Sequence, residues 1–170
     1  MLFSCLLFIP SLGLASGKTI FGLSEHVGLP DLGLQLPAKL DTGAQTASLS
    51  AWDIVHFRRD GERWVRFTLG LEDTDPVIVE RPLARTSRIK RRAGDVAEDD
   101  KTYTSRPVIE LDMCLGESLQ RIEVNLTDRR RFEFPLLIGS SALTQFGALV
   151  DPSQNFAFHE PGCAVADTDE

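Results

Sequence analysis

A chain of 170 residues, 42% hydrophobic and 25% charged, has the composition of an ordinary soluble globular protein with length for one domain and its own core. A net charge of −7 argues against a dedicated nucleic-acid binder. The three histidines, His26, His56 and His159, are scattered and form no His-Glu-x-x-His pattern, which disfavours a zinc enzyme.

Residues 1–17, MLFSCLLFIPSLGLASG, carry no charged side chain. The apolar run Leu2 to Leu14 is too short to span a bilayer and ends in small residues, as the apolar core and cleavage site of a secretory signal peptide do, with processing expected after Ala15 or Gly17. No Lys or Arg precedes the run, and most of its apolar residues follow Cys5 where a lipid anchor needs them to precede it, so a lipid anchor fits poorly. Export to the periplasm or beyond is the expectation, with a folded domain over 18–160 and an acidic tail over 161–170. Export would leave Cys114 and Cys163 where a disulfide can persist, although two free thiols are an equally open reading.

Next comes K-L-D-T-G-A-Q-T, Lys39 to Thr46. Asp-Thr-Gly makes a turn on chemical grounds alone, because Asp bonds its own backbone two residues on and Gly adopts conformations that other residues avoid. A surface turn is one reading and the loop of an aspartic peptidase is the other. Downstream, Val65, Phe67, Leu69 and Leu71 alternate with polar residues, and Pro76–Glu80 is β-prone. Between Arg81 and Lys101 a basic block (Arg81, Arg85, Arg88, Lys90, Arg91, Arg92) meets an acidic one (Asp95, Glu98, Asp99, Asp100). That pattern reads first as a solvated loop and second as a long hairpin arching over a cleft. Arg58, Arg59, Arg63 and Arg66 form another basic cluster.

Arg106–Leu111 is β-prone, Ile122, Val124 and Leu126 alternate, and Phe132–Ile138, Ala148–Val150 and Asn155–Phe158 complete the strand candidates. Asn125-Leu126-Thr127 matches a glycosylation sequon by chance. One helix is expected from Ser141 to Phe146, capped by Ser140 or Ser141 and stopped by Gly147. The whole reads as mostly β, a barrel or a sandwich of many short strands with one short helix in the C-terminal half.

An aspartic peptidase needs two carboxylates so close that they share one proton, one member acting as base and the other as acid. The chain has a single Asp-Thr-Gly, so a homodimer with a two-fold axis beside Asp41 would complete the pair. Thr42 would lock the loop through its hydroxyl, and Gly43 would let backbone N–H groups approach the carboxylate. A late apolar loop ending in Gly should pack beneath this turn and lead into a helix. Phe134-Pro135-Leu136-Leu137-Ile138-Gly139 followed by Ser140-Ser141-Ala142-Leu143 supplies it in the right order.

With G-L-P-D-L-G, K-L-D-T-G-A-Q-T-A-S-L-S-A-W-D-I, S-R-P-V-I, N-L-T-D-R, P-L-L-I-G-S-S-A-L and A-L-V-D-P, from about Gly28 to Phe158, the chain resembles retropepsin-like proteins of bacteria and archaea. These carry the name ATP-dependent zinc protease, and some are encoded beside ATP-grasp glutamate ligases. The resemblance implies a retropepsin-like acid-protease barrel and an envelope aspartic endopeptidase. It also implies a homodimer whose substrate is a peptide or protein cut at peptide bonds, glutamyl bonds among them. Asp41, Thr42 and Gly43 take the catalytic positions, and Ala44, Arg106 and Arg129 the substrate-binding ones; by residue type alone Ala44, Thr46 and Ser48 read as shaping the loop, and salt bridges to surface acids are an equal reading for the two arginines. Family members carry Arg after the late Ile-Gly, where this chain has Ser140. Neither a metal cluster nor a Gly-rich phosphate loop is visible, so no metal and no cofactor is carried over. Asp151 reads as a turn former before Pro152 and otherwise as a second carboxylate within one chain. Tyr103 is expected on an exposed loop, and Trp52 in the core or an interface. A non-catalytic module that binds an extended peptide by strand addition is the alternative function on the same fold.

Overall fold

The computed structural model describes residues 17–70, 75–90, 103–158 and 160–163. The signal-peptide expectation therefore lies outside the described residues, as do the acidic block of the charged segment, His159 and most of the tail.

Twelve strands and one α-helix are present among the described residues. They are β1 (Thr19–Gly22), β2 (Ser24–Leu29), β3 (Leu34–Asp41), β4 (Ala47–Ser50), β5 (Trp52–Arg59), β6 (Glu62–Leu69), β7 (Val77–Pro82), β8 (Arg85–Lys90), β9 (Tyr103–Leu115), β10 (Ser118–Thr127), β11 (Leu136–Gly139), α1 (Ser140–Gln145) and β12 (Ala148–Asp151). A single 3-10 turn, Pro30–Leu32, joins β2 to β3.

The largest sheet runs β10-β4-β11-β3-β2-β9-β8, and β9 also pairs with β10, so six of its strands close into a barrel. β5, β6 and β7 form a separate antiparallel sheet, and β1 pairs in parallel with β12. Period-two alternation explains the closure. Leu36, Ala38 and Leu40 of β3, Ile109, Leu111, Met113 and Leu115 of β9, and Ile122, Val124 and Leu126 of β10 all point into one core. Val65, Phe67, Leu69 and Val79 join that core from the three-stranded sheet. Burying each large apolar side chain stabilises the fold by about 1.5–3 kcal/mol before entropy is charged against it. The mostly β, retropepsin-like fold is thus as expected.

Several elements differ from their sequence reading. Over its described residues, 81–90, the Arg81–Lys101 segment is not a plain loop. Its first arm is β8, paired with β9 from Arg85↔Val108 to Lys90↔Tyr103. Tyr103 accordingly sits in a strand, with the Arg88 guanidinium 4.8 Å over its ring. The run Phe132–Ile138 is extended only from Leu136. Before it, Arg129 bends the chain by accepting the Phe132 N–H at its carbonyl and donating Nε to the Phe134 carbonyl at 3.2 Å. The helix starts at Ser140, with Gly139 in the cap position and no side-chain cap, because its first amides bond to another loop. It ends before Gly147, whose φ of 62° is the left-handed stop expected there.

Asn155–Phe158 is not a strand. The segment is held instead by Glu25, a carboxylate with no exposed surface that accepts the N–H groups of Gly22, Ala157 and Phe158. The Phe156 N–H bonds to the Ser24 carbonyl. Beyond it, Cys163 forms a disulfide with Cys114 of β9, their Cα atoms 5.9 Å apart, which resolves the open pairing. The C-terminal strap is thus fixed at both ends of its described length.

Candidate active site

β3 ends at Asp41, and the turn that follows is built around that carboxylate. Its Oδ1 accepts the N–H of Gly43 at 2.9 Å and of Ala44 at 3.2 Å. Gly43 does not adopt a left-handed conformation. Its value is close approach, since a Cβ there would stand 3.3 Å from Asp41 Oδ1. Thr42 and Gly43 are exposed at the tip of the turn. The Thr42 hydroxyl makes no hydrogen bond among the described residues, so the intrachain lock expected of it is not present.

The support beneath the turn is β11. It runs parallel to β3 in the register Leu136↔Ala38 to Gly139↔Asp41, and α1 begins immediately afterwards. Ser140 N–H donates to the Ala44 carbonyl at 2.7 Å and Ser141 N–H to the Gln45 carbonyl at 3.1 Å. The first amides of the helix therefore hold the turn from below. A Cβ on Gly139 would lie 2.7–2.8 Å from the backbone of Thr46, so nothing larger than glycine fits. Ser140 performs its part with the main chain alone.

Arg106 and Arg129, widely separated in sequence, come together on the same side. Arg106 is half-buried, and its Nη1 donates to Asn125 Oδ1 at 3.1 Å while its Nε is buried without a partner. Arg129 is 8% exposed, and its guanidinium lies 4.6 Å over the Phe132 ring. Burial pushes both guanidinium pKa values down. For Arg129 the neighbouring Arg106 charge adds to that push, and the Asp41 carboxylate opposes it. Neither arginine has a carboxylate ion-pair partner among the described residues. Arg129 thus stands near both the Arg106 cation and the Asp41 carboxylate, and the two guanidinium groups have donors to spare, which suits an anionic ligand group.

Past Arg129 a groove of about 480 Å³ opens between Trp52, Phe132, Pro37, Pro76 and Pro135. Asp41 does not line it. Trp52, expected in a core or an interface, is one wall, fitted against Gly70 and stacked by the Arg130 guanidinium at 4.9 Å. Asp128 pairs with Arg130, whose side-chain and backbone hydrogen bonds hold the Asp128 carboxyl down at about 2.

No carboxylate among the described residues hydrogen-bonds to Asp41. Asp151 is occupied as a turn former. Its Oδ1 accepts from the Ser153 N–H and hydroxyl, its Oδ2 accepts from Gln154, and its pKa is lowered by those bonds. No group of three His, Cys, Asp or Glu residues converges into a metal cluster among the described residues. The sequence reading noticed Asn125 only for its chance sequon and assigned it no place in the site, because the alternation of its strand marks only the apolar positions; the structure buries it, at 3% exposed.

A family model described as RimB-like, retropepsin-like aspartic endopeptidase RimB, matches residues 20–161. Two curated relatives, from Shewanella pealeana and Parasynechococcus marenigrum, are each named probable alpha-L-glutamate ligase. They are 31% and 37% identical over 88% and 79% of this chain, which covers 32% and 28% of their own lengths. The chain therefore spans about a third of the curated relatives that it matches. A solved Legionella pneumophila protein of unknown function is 35% identical, with a TM-score of 0.68 over 83% of this chain and 98% of its own.

Proposed function

The chain belongs to the RimB-like family of retropepsin-like aspartic endopeptidases, and on that premise we propose that it is itself a peptidase, working as a homodimer. One Asp41 from each subunit would meet across a two-fold axis and share a proton. The ionised member takes a proton from water as the oxygen attacks the carbonyl carbon. The protonated member returns a proton to the departing amine as the C–N bond breaks. The observation that carries this reading is the Asp41 turn, its carboxylate held by two N–H groups and its backbone braced by Gly139 and α1. That bracing leaves the tip of the turn exposed, where a second copy would meet it.

Glutamyl bonds are the proposed target. Arg106 and Arg129 offer unpaired donors to a carboxylate close to Asp41, and the ligase names of the relatives point to the same chemistry. Ligation itself is not proposed, because this chain corresponds to only about a third of those proteins. The Cys114–Cys163 disulfide supports an oxidising, envelope-side compartment. A peptide-binding role without hydrolysis draws on the groove beyond Arg129.

The discriminating assay offers a glutamyl-peptide library to the wild type and to Asp41→Asn. Asn is nearly isosteric but can neither serve as base nor carry the shared proton. Hydrolysis by the wild type that disappears in the variant, with circular dichroism and peptide binding retained, supports the peptidase. Equal hydrolysis in both removes Asp41 from the reaction, and binding without hydrolysis in both leaves the binding module.

A further inference from the structure

We propose that Asn125 is a positioning residue for this site: it holds Arg106 beside the Asp41 turn as a cation with no carboxylate partner, leaving that charge for the substrate. The proposal rests on the peptidase reading for its ligand class but not for its assay.

Asn125 lies on β10 between Ser48 of β4 and Val108 of β9, its backbone register partners. Both ends of its amide are bonded. Oδ1 accepts from Arg106 Nη1 at 3.1 Å, while Nδ2 donates to the Ala47 carbonyl at 2.6 Å and to Thr46 Oγ1 at 3.1 Å. The orientation is set by these partners, since a flipped amide would turn its NH₂ toward a guanidinium and its oxygen toward a carbonyl. Thr46 is also the residue whose backbone fills the space beside Gly139. One buried amide therefore ties Arg106 to the loop that Gly139 and the first helix amides brace.

The residue type matters as much as the contact. A carboxylate at 125 would bond the guanidinium more strongly, but it would cancel the charge and leave nothing for an incoming anion. A neutral amide fixes the direction of Arg106 and keeps its charge. The Nε of Arg106 is buried with no partner, which is costly for a guanidinium and is what a group held ready for a ligand shows.

The test uses Asp41→Asn as a non-hydrolysing parent and measures, by calorimetry, binding of triglutamyl and triglutaminyl peptides. The parent should favour the glutamyl peptide. Adding Asn125→Asp should weaken glutamyl binding on the order of tenfold and leave glutaminyl binding within about twofold. Adding Asn125→Ala should reduce the preference less, because the cation remains but loses its holder. If Asn125→Asp does not fold, Arg106→Gln replaces it and should erase the same part of the preference. A parent without charge preference, or folded variants that keep it or lose both peptides equally, would overturn the proposal. Hydrolysis by the wild type is read separately, so failure of the peptidase reading is distinguishable from failure of this one.

Discussion

Gly139 is the parallel register partner of Asp41, and the space where its side chain would stand is filled by the backbone of Thr46. Two segments almost a hundred residues apart thus meet with no room between them. The turn that carries Asp41 is rigid because main chain packs on main chain, not because of any single strong contact.

Gly139→Ala should therefore damage fold and site together. The new methyl meets backbone atoms, which cannot swing away as the end of a flexible side chain can. A cost of about 1–3 kcal/mol is expected from overpacking alone. Urea unfolding should show a lower midpoint, and peptide hydrolysis should fall further than stability does, since the displaced loop holds Asp41. Full stability in the alanine variant would show that the loop yields easily.

The C-terminal strap offers a second test. Glu25→Ala strands three N–H groups, the buried one of Gly22 and the part-buried ones of Ala157 and Phe158, and should destabilise by roughly 3 kcal/mol. Glu25→Gln keeps the oxygen that serves Gly22 and Ala157 and should cost about half as much. Reducing the Cys114–Cys163 bond reopens a span of 49 residues, worth about 4 kcal/mol in the chain-entropy account. Chemical denaturation with and without reductant reads all three effects.

The parts of the site visible in sequence are those whose chemistry is local. Asp41, Thr42 and Gly43 announce a turn by residue type. Leu136 to Gly139 followed by small polar residues announces a strand running into a helix. Alternation at Val65, Phe67 and Leu69, and at Ile122, Val124 and Leu126, reported faces that are indeed buried. Contacts made through space were not visible. Nothing around Asn125 says that it bonds Arg106 and Thr46, and nothing around Glu25 says that it takes the amides of Ala157 and Phe158. Asn155–Phe158 is β-prone by residue type but does not run as a strand: Phe156 takes a φ of 50°, and a side chain, not a neighbouring strand, accepts the amides of Ala157 and Phe158. β5 escaped notice for the opposite reason. Most of its residues are exposed or half-exposed, so no apolar alternation marks it. Thr42 carried an expectation that the described residues do not meet, and it lies on the exposed tip of the turn.

Assembly is the centre of the account, because among the described residues no second carboxylate hydrogen-bonds to Asp41. The most direct measurement is specific activity on a glutamyl peptide across a dilution series, with the oligomeric state followed by sedimentation in the same buffer. Activity per chain should track the dimer fraction and fall towards zero as the protein dissociates. A demonstrably monomeric protein that keeps constant activity per chain would contradict the shared Asp41 pair and require its second acid from the same chain.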